Sequence, residues 1–440
     1  MTKNRLYTIS AVLLTAICLN AQTLGLDSCL NIALQNNLQM KNANLEIQKA
    51  EQVRYQALTK YFPNISAHAY AFHALNPLIE IGATDIINGI ENEEVRTNLR
   101  QAYDEIAPYA DLENMFGFFQ YGVTAGATAI QPVFMGGQIV NGNRLAKLGV
   151  DAAKLQAEIT KRETLRAVEQ TYLMIVGLEE KKTTLQSVNQ LLDTLTHDLQ
   201  TAIQSGLATQ TDMLKIELQR GENESLQLQL DNGITLAKQA LCSQLGIPYS
   251  DSLQVDTANI PDITASAMPR PEKTLLDINV RKEKLIKKME VGKALPQIAV
   301  GGSYAYNRIL KDQNRYNGLL FATVQVPLTD WWETGHKIKE RNLQTEQAEN
   351  SRQYLNEQME LQSLQAQQEV LLAIKKIEIA DKAVTNATEN VRITRVNYEA
   401  GLVPLSELLE ARTLLMKAQN DLTDAQLQLR FAQRKAEDYK

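Results

Sequence analysis

The sequence predicts a mixed α+β membrane protein, with long α-helical coiled coils adjoining four transmembrane β-strands per chain that join a barrel shared between chains. Three observations carry this expectation. Apolar residues repeat in heptads over stretches longer than a globular helix, four short segments alternate with period two, and landmark residues recur at a fixed offset, so one unit is written twice.

The first element concerns export. Lys3 and Arg5 precede an apolar run from Leu6 to Leu19, and Leu19-Asn20-Ala21 stands before Gln22, which reads as a signal peptide, residues 1–21, cut after Ala21. A helical anchor needs about 20 apolar residues. This run is shorter and interrupted by Thr8, Ser10 and Thr15. Cys18 follows the bulky Ile17 where a lipid-attachment signal wants a small residue, so Gln22 begins the mature chain without a lipid. Beyond it the densest apolar stretch, Tyr172 to Leu178, is too short to span a bilayer as a helix, and any crossing must use strands.

Composition excludes several functions. Without Lys3 and Arg5, 43 basic residues stand against 51 acidic ones, and no basic cluster tracks phosphates, so nucleic acid is not an expected partner. His68, His73, His197 and His336 form no i,i+4 pair and have no clustered ligand partner; neither a metal site nor a cofactor is expected. Cys29 and Cys242 are compatible with a disulfide or with two separate core thiols.

The repeat organises the rest. Gln131-Pro132-Val133 matches Val326-Pro327-Leu328, and Ser205-Gly206-Leu207 matches Ala400-Gly401-Leu402, both at an offset of 195 residues. Phe62-Pro63-Asn64-Ile65 matches Leu295-Pro296-Gln297-Ile298 at an offset of 233, so the first copy holds 38 extra residues. The expected domains are a first repeat at 22–246 (helix, strand, strand, helix, helix, with an exterior loop insertion at 76–118), a linker or collar at 247–271, and a second repeat at 272–440.

Within each copy the helices follow from heptads. Leu185, Val188, Leu192, Leu195, Leu199 and Ala202 step by three and four, as do Ile377, Ala380, Val384, Ala387, Val391, Thr394 and Tyr398, and Leu408, Leu415, Leu422 and Leu429 continue at sevens. Unbroken helices from about 138 to 205 and 333 to 400 would each reach on the order of 100 Å. Shorter ones, about 24 to 61 and 207 to 245, would reach roughly 57 Å, so two stacked ones match a long one in a tall hollow cylinder.

The strands follow from alternation. Phe119 to Ile130 sets Tyr121, Val123, Ala125, Ala127 and Ala129 against Gly122, Thr124, Gly126 and Thr128; Ile298 to Asn307 sets Ile298, Val300, Tyr304 and Tyr306 against Ala299, Ser303 and Asn307. Ile65 to Ala74 and Gly318 to Val326 complete the set. Tyr61, Phe62, Phe134, Trp331 and Trp332 mark the helix junctions as an aromatic girdle at the membrane boundary. Four strands leave two open edges in lipid, so several chains must pool them. The acidic segment 76–118 lies between two strands, at the barrel end opposite the helices.

These residues, with the opening Leu26-Asp27-Ser28-Cys29-Leu30-Asn31-Ile32-Ala33-Leu34-Gln35-Asn36-Asn37 and the two Gly-Leu turns, resemble the TolC-like outer-membrane factors over essentially the whole mature chain. The resemblance implies a homotrimer in the cell outer membrane, with a twelve-stranded barrel above a periplasmic helical tunnel. It further implies a membrane-fusion adaptor and an inner-membrane pump of RND, ABC or MFS type as partners, and a role as exit duct of a tripartite efflux pump or type I secretion system. By its pattern Glu407 and Glu410, six and nine residues past Gly401, ring the periplasmic mouth. Asp212 and Tyr398 are then candidates for a closing latch, and the turns Gly206-Leu207 and Gly401-Leu402 for the adaptor-contacting tips. The family's gate arginine, two residues after the second glycine, is here Val403.

No phosphate loop, nucleophile elbow or acid-paired histidine suggests an enzyme. The alternative is a secreted coiled-coil scaffold or adhesin, which explains heptads and signal peptide but not paired strands at repeated positions.

Overall fold

The computed structural model describes residues 23–75, 79–108, 116–118, 121–205, 208–251, 253–257, 270–310, 313–328 and 330–439; the signal peptide at 1–21 lies outside them. In chain order the elements are β1 (Thr23–Leu24), α1 (Leu26–Asn36), α2 (Leu38–Thr59), β2 (Asn64–His73), β3 (Ile79–Ile81), α3 (Ala83–Asn88), α4 (Glu93–Ile106), β4 (Phe116–Phe118), β5 (Tyr121–Met135), α5 (Gln138–Gln204), α6 (Gln210–Leu245), β6 (Gln254–Val255), α7 (Pro271–Lys293), β7 (Gln297–Leu310), β8 (Gln313–Gln325), α8 (Asp330–Glu399) and α9 (Leu405–Asp438). No helix among the described residues is long and apolar enough to cross a membrane. The chain divides into two compact units, one of Ala50–Val150 with Asn279–Glu349, the other of Met1–Lys49, Asp151–Ile278 and Asn350–Lys440.

The first unit is organised by a four-stranded sheet in the order β2-β5-β7-β8, all antiparallel. Register turns the alternation of each strand into two faces. Ala67 pairs with Ala127, Ala127 with Tyr304 and Tyr304 with Gly318; the next row is Ile65, Ala129, Gly302 and Leu320. That face is apolar. Three residues along, Tyr70, Thr124, Asn307 and Arg315 form a row on the other face, where the Thr124 hydroxyl donates to Asn307 Oδ1 at 3.1 Å. A one-residue slip would exchange the two faces, although within the single chain Ile65, Tyr304 and Leu320 of the apolar face are exposed.

The strands begin and end differently from the expectation. Phe119 and Gln120 lie outside the described residues, and β5 does not stop at Pro132 but runs to Met135 through a bulge between Pro132 and Phe134. A bulge interrupts the ladder, so the missing proline N–H costs little there. Gly136 and Gly137 then turn the chain into α5 with φ of 59° and 75°. A Cβ on Gly136 would overlap the Gly292 backbone, and one on Gly292 would overlap the Gly136 carbonyl, so the turn closes on the end of α7 by glycine-to-glycine contact. The insertion is folded where it is described. β3 pairs antiparallel with β4, and α4 starts at Asn92, whose Oδ1 accepts from the N–H groups of Glu94 and Val95.

The second unit is helical. The long helices match the heptad reading to within a few residues, and the seam buries Leu185, Leu192 and Leu199 while leaving Val188 and Leu195 half-buried. α5 and α6 run antiparallel, tied by Lys182–Asp231 at 2.7 Å and by a buried amide pair, Asn223 Nδ2 donating to Asn189 Oδ1 at 2.8 Å. In α9 the deepest repeat is not the leucines at sevens. Leu408 is buried, but Ala411, Ala418, Ala425 and Ala432 carry the stripe onward while Leu415, Leu422 and Leu429 are only half-buried, because small side chains sit deepest where helices crowd.

The opening helix is also interrupted. The pattern from 24 to 61 breaks at Asn37, whose Oδ1 accepts from Gln39 N–H at 2.7 Å to cap α2 and whose amide donates to the Gln244 carbonyl at 2.6 Å. α1 thereby packs on α6 around Cys29, Ala33, Tyr172, Ile175, Leu241 and Leu245. Tyr172 donates its hydroxyl to the Asp256 carbonyl at 2.6 Å beside the parallel pair of β1 and β6. Of the collar at 247–271, residues 252 and 258–269 lie outside the described set. Cys29 and Cys242 are both buried free thiols, and burial pushes that of Cys29 up to about 11.

Candidate functional site at the helix tips

The heptads end in two turns, and the structure gathers their flanks into one cluster. Leu192 and Leu199 of α5, Met213 and Ile216 of α6, and Leu405 and Leu409 of α9 form a buried core, with Leu195, Ile203, Ala208 and Tyr398 packed against it. Seam residues that are 200 positions apart in sequence thus become one apolar plug.

The second turn is closed by glycine chemistry. Gly401 has φ of 71°, its N–H reaches the Tyr398 carbonyl at 2.9 Å, and Leu402 N–H reaches the Asn397 carbonyl at 2.8 Å. That pair of bonds is the Schellman arrangement, satisfying carbonyls that α8 leaves open. Leu402 is left 74% exposed, a large apolar side chain at the apex of the turn. Pro404 then starts α9. Glu407 and Glu410 lie three apart, both exposed, while Leu405, Leu408 and Leu409 face the core. Neither forms an ion pair among the described residues.

Gly206 and Leu207 of the first turn lie outside the described residues. Past them, Asp212 reaches back across the first turn of α6 and accepts from the Thr209 hydroxyl at 2.7 Å and backbone N–H at 3.4 Å, while Lys215 donates to it at 3.1 Å. The Thr209 hydroxyl holds its carboxyl below the usual range; burial opposes this, and Lys215 adds to the lowering. Tyr398 stands against the plug with its phenol raised, first by burial and then by Asp212 and Asp198. The two proposed latch residues are therefore in electrostatic reach, but no hydrogen bond joins them within the chain.

Sequence reasoning passed over one residue of this site. Arg412 is half-buried, its Nε is shielded with no hydrogen-bond partner, and burial followed by the Arg395 charge lowers its pKa. Its signal was available, since Leu405, Leu408, Arg412 and Leu415 step by three, four and three, placing an arginine at a core position.

The described residues combine a four-stranded antiparallel sheet, with one apolar and one polar face, with helices of 67 and 70 residues. Residues 292–435 match the outer membrane efflux protein family. The fold of the chain is similar to that of the outer-membrane channel OprN, with a TM-score of 0.76 at 12% identity over 94% of this chain and 89% of that one. The Campylobacter jejuni CmeC outer membrane channel gives 0.76 at 14% identity over 94% and 85%; VceC of Vibrio cholerae gives 0.73 at 14% over 93% and 94%. No curated protein matches the sequence.

Proposed function

We propose that this chain is the exit duct of a tripartite efflux pump or type I secretion system, working as a homotrimer that passes substrates from an inner-membrane pump and a periplasmic adaptor to the cell exterior. The observation that carries it is the sheet. Its apolar face suits lipid, its polar face suits water, and β2 and β8 each present an unpaired edge. Open edges are not tolerated in a bilayer, so the four strands of each copy close on those of its neighbours, giving twelve in a trimer. The two halves, 22–246 and 272–440, joined by 247–271, are read as tandem repeats, each giving one hairpin and one long helix. The turns at Gly206-Leu207 and Gly401-Leu402 meet the adaptor. Glu407 and Glu410 ring the mouth, and Asp212 with Tyr398 biases it shut.

The apolar tip plug supports this reading, since a gate needs an element with two packings rather than a rigid wall. Planar-bilayer recording of the purified protein tests the reading: defined single-channel steps are expected. A scaffold or adhesin would conduct nothing, and that result would end the proposal.

A further inference from the structure

A cavity of about 850 Å³ opens at the foot of the sheet on the side of its β2 edge. Phe62, Pro63 and Ile65 form one wall, Pro132 and Met135 another, and Met289 of α7 closes the back. The lining is mostly apolar, and Phe62 and Ile65 are 66% and 72% exposed. At the opposite edge, β8 runs out toward the chain's two tryptophans. Trp331 is anchored at home, its indole N–H donating to the Ala294 carbonyl at 2.9 Å. Trp332 is not, and stands 81% exposed.

The sequence offsets say what belongs in the cavity. The offset of 195 that superposes Pro132 on Pro327 also superposes Gly136 and Gly137 on Trp331 and Trp332, and the offset of 233 superposes Thr59 on Gly292. Where β5 pairs with β7 inside the chain, Gly136 and Gly292 seal the junction backbone to backbone. The equivalent junction between copies pairs β8 of one with β2 of the next. There the glycine turn is replaced by two indoles and the facing glycine by Thr59, so the backbones must stand further apart and side chains must fill the gap.

We propose that Trp332 of one copy inserts into the cavity beside Phe62, Met135 and Met289 of the next, making this the seam that holds adjacent copies together below the barrel. This rests on the reading that copies close a common barrel. A tryptophan buries on the order of 200 Å² and is favoured where an anchor enters an apolar pocket. Three such insertions in a closed ring bury Trp332 of every copy and seat one indole in every cavity, which a second copy can do in a repeating manner.

The test is a full-length Phe62→Cys/Trp332→Cys double variant, treated in detergent with a short bismaleimide. A covalent trimer on denaturing gels is expected, and neither single variant should give one, because Cys29 and Cys242 are buried. Native mass spectrometry runs in parallel. A trimer without the cross-link overturns the insertion and leaves the duct intact, whereas a monomer overturns the barrel reading as well. In a Trp331→Phe chain, Trp332 is the sole tryptophan, and its emission should survive reconstitution into lipid with brominated chains. Strong quenching would place it in the bilayer and overturn the insertion.

Discussion

The Thr209 hydroxyl donates to the Asp212 carboxylate at 2.7 Å, so the residue proposed as half of a latch also caps its own helix. A depressed carboxylate pKa adds stability that is present above its unfolded value near 3.8 and is lost as pH falls through the lower folded value. Amide exchange in the first turn of α6 should therefore accelerate as pH drops below about 3.8. Asp212→Ala should remove that dependence and weaken the turn by about 1 kcal/mol. An unchanged exchange profile would deny the cap.

Tyr398 separates a latch from packing. A hydrogen bond from its phenol to a charged acceptor contributes roughly 1.5–3 kcal/mol, and a carboxylate already bound to Thr209 and Lys215 keeps lone pairs free. Because Val403 offers no salt bridge, Tyr398→Phe should raise the open probability of the channel and the entry of large antibiotics into cells. Parent-like conductance and sensitivity would leave Tyr398 as a member of the plug only.

Glu407 and Glu410 have no ion-pair partner among the described residues, so in the proposed duct their charge is free to act on what passes. Replacing both with Gln should lower cation selectivity and block by divalent cations from the tip side, without changing the melting temperature. Unchanged block would remove them from the mouth.

The Gly136–Gly292 contact predicts a contrast in stability. Gly136→Ala and Gly292→Ala should each lose about 2–4 kcal/mol, from backbone overlap in both and from a left-handed φ at Gly136. Gly149→Ala, where an added Cβ meets nothing within 4 Å, should gain about 0.5–1 kcal/mol. Thermal unfolding of the three variants in detergent checks the order.

Glu169 of α5 lies 3.1 Å from Arg434 of α9, and burial is the main reason its carboxyl is raised from 4.5, with Arg434 opposing. A raised pKa means stability that is full below 4.5 and declines as pH rises through the folded value. Glu169→Gln should flatten that decline, while Arg434→Leu should steepen it and cost roughly 3 kcal/mol by stranding the carboxylate. Melting temperature against pH reads both.

The ends of α5 and α8 were readable within three residues because a heptad seam is a local property, expressed by side chains that recur every turn or two. Strand alternation was equally local. By contrast, Pro132 sits inside β5 because β5 bulges there against β7, and the break at Asn37 exists because Gln244 waits to accept its amide. Neither partner is near in sequence. The alanine stripe of α9 was visible as composition, but only packing showed that it lies deeper than the leucines beside it.

The site divides in the same way. Sequence by itself determined the long helices and the two-faced strands, because periodicity and spacing are written along one chain; the tandem repeat is a reading of sequence offsets, and the pair Glu407 and Glu410 was marked by the family resemblance. Tertiary structure decided that the two tips share a plug, that Asp212 is held by Thr209 and Lys215, that Arg412 is shielded, and that Gly136 closes on Gly292. Those are relations between segments as far apart in sequence as Leu192 and Leu409, and they depend on burial and distance, which no single segment carries.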